Sequence, residues 1–184
     1  MTQAYAEVIG DPIAHSKSPL IHGFWLEKLG IAADYRATRV APEDLSRFFA
    51  DRAADPAWRG CNVTVPHKVA ALDHVPDPGD LRASIGAINT VFRDESGALV
   101  GTNTDAAGFV SPIAGLDLAG QPVAVVGAGG AARAVLFALA RLGVGRVTLL
   151  NRTPLKGAAL LAQFGLKGDA LPPTARLPAA TLLV

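Results

Sequence analysis

The sequence predicts an α/β protein with two domains: an N-terminal α/β domain with a mostly parallel sheet, and an incomplete Rossmann-type domain after it. Two observations carry this prediction. Strand-like and helix-like segments alternate over the first part of the chain, which is typical of parallel sheets covered by helices. Further along, the apolar run Val123–Val126 enters a glycine-rich loop that leads into an Ala/Leu-rich helix at about 131–142.

The composition favours a globular protein and argues against partners held by bulk charge. Half of the 184 residues are apolar and 18% are charged, so there is ample material for a core. The net charge is +1, from 17 basic and 16 acidic residues, so we expect no binding to nucleic acid or to a membrane surface. The single cysteine, Cys61, excludes an internal disulfide and a cysteine-based metal site, and no metal is expected. Because there is no signal-peptide pattern and no apolar run of spanning length, we expect a cytoplasmic protein. A monomer or a homodimer is expected.

The first domain, residues 1–102, is expected to begin with a βαβαβ series. Strands are predicted at 4–9, 35–40 and 61–65, and helices begin at Ser18-Pro19 and at Pro42. A short helix at 67–72 and a loop at 73–80 follow. Two further strands, at 87–93 and 98–102, flank a turn at 94–97 and predict a hairpin.

The second domain, residues 103–184, is expected to start with a helix running from about Thr104-Asp105 to Gly115. Strands at 123–126 and 146–151 then alternate with helices at 131–142 and 154–164, and another strand begins at 181. A complete doubly wound domain needs roughly twice the residues that follow Gln121, so we expect this domain to be incomplete.

The glycine-rich loop fits a dinucleotide-binding fingerprint. Gly127, Gly129 and Ala132 match G-x-G-x-x-G/A between a strand and a helix. Gly127 allows a tight turn, Gly129 lets the backbone approach a pyrophosphate, and Ala132 lets helix and strand pack closely. The helix N-terminus then offers N–H groups to the phosphates. The alternative is an ordinary glycine-rich turn.

The end of the next strand indicates which dinucleotide this loop binds. An NAD-binding domain carries Asp or Glu there, whereas this chain has Asn151-Arg152-Thr153, followed by Lys156. Arginine and lysine bind a 2′-phosphate well, so NADP is predicted rather than NAD. The alternative is a solvated helix start, with Thr153 as an ordinary N-cap.

Polar residues at strand ends of the first domain are candidates for a substrate site. Alternation places Asn62 and Thr64 on one side of their strand, and Lys68 lies just past its carboxyl end, where open α/β sheets bind ligands. By residue type alone, Lys68 could be an exposed lysine, Ser18 a plain N-cap and Asp105 a helix-start carboxylate. His67 and Cys61 are most simply structural.

Taken together, the motifs of this chain resemble the shikimate dehydrogenase family. The resemblance lies in six segments, which occur in the family's order: 10–19 (GDPIAHSKSP), 62–68 (NVTVPHK), 86–90 (GAINT), 101–105 (GTNTD), 127–132 (GAGGAA) and 151–153 (NRT). Gly23 departs from the asparagine that the family commonly has after His22.

The resemblance implies NADPH-dependent reduction of 3-dehydroshikimate to shikimate, a step of aromatic amino-acid biosynthesis. It implies that Ser16 and Ser18 bind the substrate carboxylate, and that Asn62, Thr64, Asn89 and Asp105 bind its hydroxyls. Lys68 would be catalytic, as proton donor in reduction and base in oxidation, with Asp105 orienting it. The pyrophosphate would be bound by Gly127, Ala128, Gly129, Gly130, Ala131 and Ala132, and the 2′-phosphate by Asn151, Arg152, Thr153 and Lys156.

Two alternatives stay open at this level. One is a related enzyme acting on quinate and shikimate with NAD, or on an amino-substituted shikimate. The other is an inactive substrate-binding fragment, because a hydride transfer needs both ligands held in reactive geometry and the second domain is incomplete.

Overall fold

A computed structural model describes residues 3–77 and 79–184, and the chain is organised in two compact units. The first unit extends to Asn103, and the second is Thr104–Val184. Pro78, in the predicted loop at 73–80, lies outside the described residues. Within the described ranges, no helix has both the length and the apolar character needed to cross a membrane.

The first unit has a five-stranded sheet in the order β2-β1-β3-β4-β5. Its strands are β1 (Ala4–Gly10), β2 (Ala33–Arg39), β3 (Trp58–Val63), β4 (Thr90–Arg93) and β5 (Leu99–Thr102). Strand β1 pairs in parallel with β2 and β3, and β4 pairs antiparallel with β3 and β5. Only β4 among these strands therefore runs against the others, and the predicted α/β class is confirmed.

In the described part of this unit, three helices accompany the sheet: α1 (Ser18–Lys28), α2 (Leu45–Ala54) and the single-turn α3 (Leu81–Ser84). Leu45, Phe48 and Phe49 of α2 are buried, which is the i, i+3, i+4 spacing of a core-facing helix. They pack in one core with Trp58 and Ile9. Helix α1 is also present as predicted, but none of its residues is fully buried.

The second unit has an all-parallel sheet of four strands in the order β8-β7-β6-β9. These are β6 (Val123–Val126), β7 (Val147–Leu150), β8 (Gly168–Leu171) and β9 (Leu182–Leu183). The helices are α4 (Asp105–Val110), α5 (Gly130–Arg141) and α6 (Pro154–Gln163). When β6 to β9 are numbered 1 to 4 along the chain, their order across the sheet is 3-2-1-4, as in part of a Rossmann fold. The strand order reverses beside β6, the first of the four.

Several predicted elements differ in extent. The helix predicted at 67–72 is a 3-10 turn at Ala70–Asp73, and the helix predicted at about 104–115 ends as α4 at Val110 and continues as a 3-10 turn, Ser111–Ile113. Pro112 lacks an N–H and cannot donate the next i→i−4 bond of the α-helix, which explains the second change.

Strand β8 was not predicted, because glycine and aspartate are poor strand formers. Its first residue is Gly168, where an added Cβ would clash with the Val147 carbonyl oxygen. Only glycine allows the two backbones to approach this closely. Arg146, the residue before β7, forms an ion pair at 2.6 Å with Asp169 of β8.

Candidate active site

The polar segments predicted for the first unit lie at the carboxyl ends of its parallel strands. Because β1 and β3 are parallel, their carboxyl ends lie side by side. Backbone bonds continue beyond them: the Thr64 N–H donates to Ile9 O at 2.9 Å, and the Asp11 N–H donates to Val65 O at 3.0 Å. The loop after β1, which carries Ser16, is thereby tied to the segment that carries Thr64.

The N-cap of α1 is not Ser18, as the sequence-based alternative had it. Ser18 is the first helical residue and not the N-cap, which is Lys17. The Ser16 hydroxyl oxygen accepts from the Ser18 N–H at 3.2 Å. Both serines are half-buried. Ser16 therefore satisfies one of the N–H groups that a helix start leaves without an intrahelical partner.

Two side-chain amides are linked through a threonine at the neighbouring strand ends. Asn62 Nδ2 donates to Thr90 Oγ1 at 3.2 Å, and the Thr90 hydroxyl donates to Asn89 Oδ1 at 3.1 Å. The Tyr35 hydroxyl, from β2, donates to Asn62 Oδ1 at 2.5 Å. Burial raises the pKa of Tyr35, so this hydroxyl keeps its proton at neutral pH.

Tyr35 was missed by sequence reasoning. Nothing in the local sequence of β2 connects it with a residue of β3, and only the sheet register brings the two together. The ring of His22 from α1 stacks on the Tyr35 ring, with centroids 4.0 Å apart and planes at 6°. The tyrosine is therefore held from the helix side as well.

Lys68 lies close to this network along the backbone. Its carbonyl oxygen accepts from the Ile88 N–H at 2.8 Å. Asn89, the residue after Ile88, accepts through its own carbonyl oxygen from the Val63 N–H at 2.7 Å. The lysine is half-buried. The preceding residue is structural: His67 is 1% exposed and its Nε2 lies 2.7 Å from Val40 O.

A cavity of about 450 Å³ opens beside the amide network, with Tyr35, His22, Asn62 and Thr90 in its wall. Cys61 also lines it, and burial raises the pKa of its thiol, as expected for a structural cysteine. The cavity borders part of the predicted substrate set and does not reach Ser16, Ser18, Thr64 or Lys68. Asp105 is the first residue of α4 and belongs to the second unit.

The glycine-rich loop of the second unit has the geometry of a phosphate cradle. Gly127 has φ +111°, a conformation that favours glycine, and its N–H donates to Leu150 O at 2.8 Å. Gly129 is the N-cap of the twelve-residue helix α5, and a Cβ added there would meet no atom within 4 Å. Ala128 and Ala132 are buried, Gly130 is half-buried and Ala131 is exposed. The loop backbone is thus accessible at a helix N-terminus, where anions bind.

The basic residues after β7 are beside this loop, because the Gly127–Leu150 bond joins the ends of β6 and β7. Asn151 is half-buried and its Nδ2 donates to Thr153 O at 2.9 Å. Arg152 and Lys156 are exposed. Thr153 occupies the N-cap of α6, yet its hydroxyl makes no capping bond. An open cradle next to two exposed cations, with no carboxylate in 151–153, fits a dinucleotide that carries a 2′-phosphate.

The fold and the two sets of residues define an α/β protein with polar residues at the carboxyl ends of its first sheet and a Rossmann-type second unit. Residues 8–91 match the family profile described as "Shikimate dehydrogenase substrate binding domain". A solved shikimate 5-dehydrogenase from Thermus thermophilus, in complex with shikimate, is 40% identical with a TM-score of 0.79, over 97% of this chain and 72% of that one. The chain belongs to the shikimate dehydrogenase family.

Two further proteins are similar to this chain. A protein of Sphingopyxis alaskensis named "Shikimate dehydrogenase (NADP(+))" is 65% identical over 98% of this chain. A 5-ketofructose reductase of Gluconobacter is 31% identical with a TM-score of 0.80, over 99% of this chain and 68% of that one. The chain spans 66% of the length of the Sphingopyxis relative.

Proposed function

We propose that the protein takes part in the NADPH-dependent, reversible reduction of 3-dehydroshikimate to shikimate. The observation that carries this proposal is the hydrogen-bonded line of Asn62, Thr90 and Asn89 at the carboxyl end of β3, where the backbone of Thr64 is bonded to that of Ile9 in β1. The same chain has an open glycine-rich loop beside Arg152. The name of the Sphingopyxis relative supports NADP as cofactor.

Each residue type suits a part of this substrate. The hydroxyls of Ser16 and Ser18 suit its carboxylate, and the side chains of Asn62, Thr64 and Asn89 suit its ring hydroxyls. We propose the same hydroxyl-binding role for Asp105. All of these assignments rest on the family motifs, and those of Asn62, Thr64 and Asn89 are supported also by the strand-end geometry of the first unit.

Lys68 is proposed as the catalytic residue. Reduction of a ketone leaves negative charge on the carbonyl oxygen, and an ammonium group can stabilise that charge and donate a proton to it. In the oxidation direction, the neutral amine takes the hydroxyl proton. NADPH, when bound, supplies the hydride.

The cofactor is proposed to lie on the second unit. The loop 127–132 would bind the pyrophosphate through backbone N–H groups, and Asn151, Arg152, Thr153 and Lys156 would bind the 2′-phosphate. The hydroxyl of Thr153 supports this assignment, since it is not used in capping α6. We also propose a cytoplasmic location, which suits a chain with a single cysteine, and a monomeric or dimeric state.

Steady-state assays with shikimate and with NADP or NAD test this function. We expect turnover of shikimate with NADP, weaker turnover of quinate, and little turnover with NAD. Preference for 5-ketofructose would instead favour the activity named for the Gluconobacter relative. Calorimetric titration with shikimate and NADP separates the remaining alternative, because an inactive substrate-binding fragment would bind shikimate but not NADP.

A further inference from the structure

A line of hydrogen bonds runs across one face of the first sheet, from β2 to the turn before β4. It begins at Tyr35, passes through Asn62 and Thr90, and ends at Asn89. Strand β1 lies between β2 and β3, and the residue of β1 opposite Tyr35 is Ala6. This small side chain leaves room for the tyrosine ring to lie across β1 and reach Asn62.

The direction of this line is defined by its first bond. At 2.5 Å, the Tyr35–Asn62 separation suits an O–H···O bond and is too short for a typical N–H···O bond. The amide oxygen of Asn62 therefore faces the tyrosine. Its nitrogen then faces Thr90, whose oxygen accepts that bond and donates to the oxygen of Asn89.

This direction determines what Asn62 can offer a ligand. An amide nitrogen carries two hydrogens, and Thr90 accepts only one of them. Because its oxygen faces Tyr35, Asn62 presents its second N–H as a donor. If the Asn62 amide were rotated by 180°, its oxygen and nitrogen would exchange places and it would present an acceptor. The donor and acceptor roles of the other members, as far as Asn89, would then be reversed.

We propose that Tyr35 is a positioning residue, which holds the Asn62 amide so that it donates to a hydroxyl oxygen of the ring substrate. This proposal rests on the proposed function, in which Asn62 binds a hydroxyl of shikimate. Tyr35 itself does not touch the substrate. The parallel stacking of His22 fixes the plane of the tyrosine ring and so the position of its hydroxyl.

The variant Tyr35→Phe tests this proposal, with Tyr5→Phe as a matched control. These are the two tyrosines of the chain, and the Tyr5 hydroxyl donates its one hydrogen to Asp55 at 2.7 Å and so to no member of the amide network. We expect Tyr35→Phe to raise the Kd for shikimate roughly three- to tenfold, the range for one net hydrogen bond, and to leave the Kd for NADP unchanged. Tyr5→Phe should change neither value.

A double-mutant cycle with Asn62→Ala separates positioning from general support of the fold. If Tyr35 acts through Asn62, the substitution Tyr35→Phe will not weaken shikimate binding any further in the Asn62→Ala background. In NMR spectra, the Asn62 side-chain amide signals should shift or broaden in Tyr35→Phe and not in Tyr5→Phe.

The possible outcomes are distinct. Normal shikimate binding by Tyr35→Phe overturns the positioning role, and so does an undiminished effect of Tyr35→Phe in the Asn62→Ala background. Failure of the unsubstituted protein to bind shikimate overturns the proposed function together with this inference. A loss confined to Tyr35→Phe, and absent without Asn62, supports both.

Discussion

Replacing Arg52 with methionine should destabilise the first unit, because it leaves a buried carboxylate without its cation. Glu7 in β1 is 1% exposed, and Arg52 from α2 donates to it through Nε at 2.6 Å and through a terminal nitrogen at 3.4 Å. The Thr38 hydroxyl also donates to Glu7. Removing one partner of a buried ion pair costs about 3–5 kcal/mol. Since the Arg52 side chain is 26% exposed and water can reach the site, we expect a loss of about 2–4 kcal/mol in the free energy of unfolding.

The assay is urea unfolding followed by tryptophan fluorescence. Trp25 and Trp58, the two tryptophans of the chain, lie in α1 and β3, so the signal reports the first unit. Methionine retains an unbranched stem, which can pack against the Phe48 ring where the guanidinium carbon now lies 4.9 Å from the ring centroid.

The matched control is the double variant Arg52→Met/Glu7→Gln. A neutral amide is less costly to bury without a cation, so the double variant should be more stable than Arg52→Met alone. A loss below about 1 kcal/mol in the single variant, or no recovery in the double variant, would refute the reasoning that the buried charge dominates.

Three other predictions concern the proposed site and the buried thiol. Lys68→Ala should lower kcat by about 10²–10⁴ with a smaller effect on KM, and an unchanged kcat would remove Lys68 from the chemistry. Arg152→Ala should weaken NADP binding in calorimetry and leave NAD binding nearly unchanged; equal weakening of both would contradict the 2′-phosphate assignment. Because burial raises the pKa of Cys61, its thiol should stay unreactive towards a thiol reagent at mildly alkaline pH until urea unfolds the first unit. Rapid labelling of the folded protein would contradict that burial.

Local sequence patterns predicted most of the elements that carry the candidate site. The turn at Gly127, the helix start at Gly129 and the strand ends near Asn62 each depend on residue types adjacent in the chain. A glycine at positive φ and the alternation of side chains along a strand depend on neighbouring residues only, so both can be predicted from the sequence. Element ends were less predictable, as the 3-10 turn at Ala70–Asp73 shows.

The sequence by itself determined the α/β class, the family motifs and the absence of a carboxylate where an NAD-binding domain would have one. Only the tertiary structure decided that the Tyr35 hydroxyl bonds to Asn62, that Ser16 bonds to the first N–H of α1, and that Gly168 begins an additional strand. The physical reason is separation along the chain. Tyr35 and Asn62 are 27 positions apart, and their bond depends on the register of three strands, which no local pattern encodes.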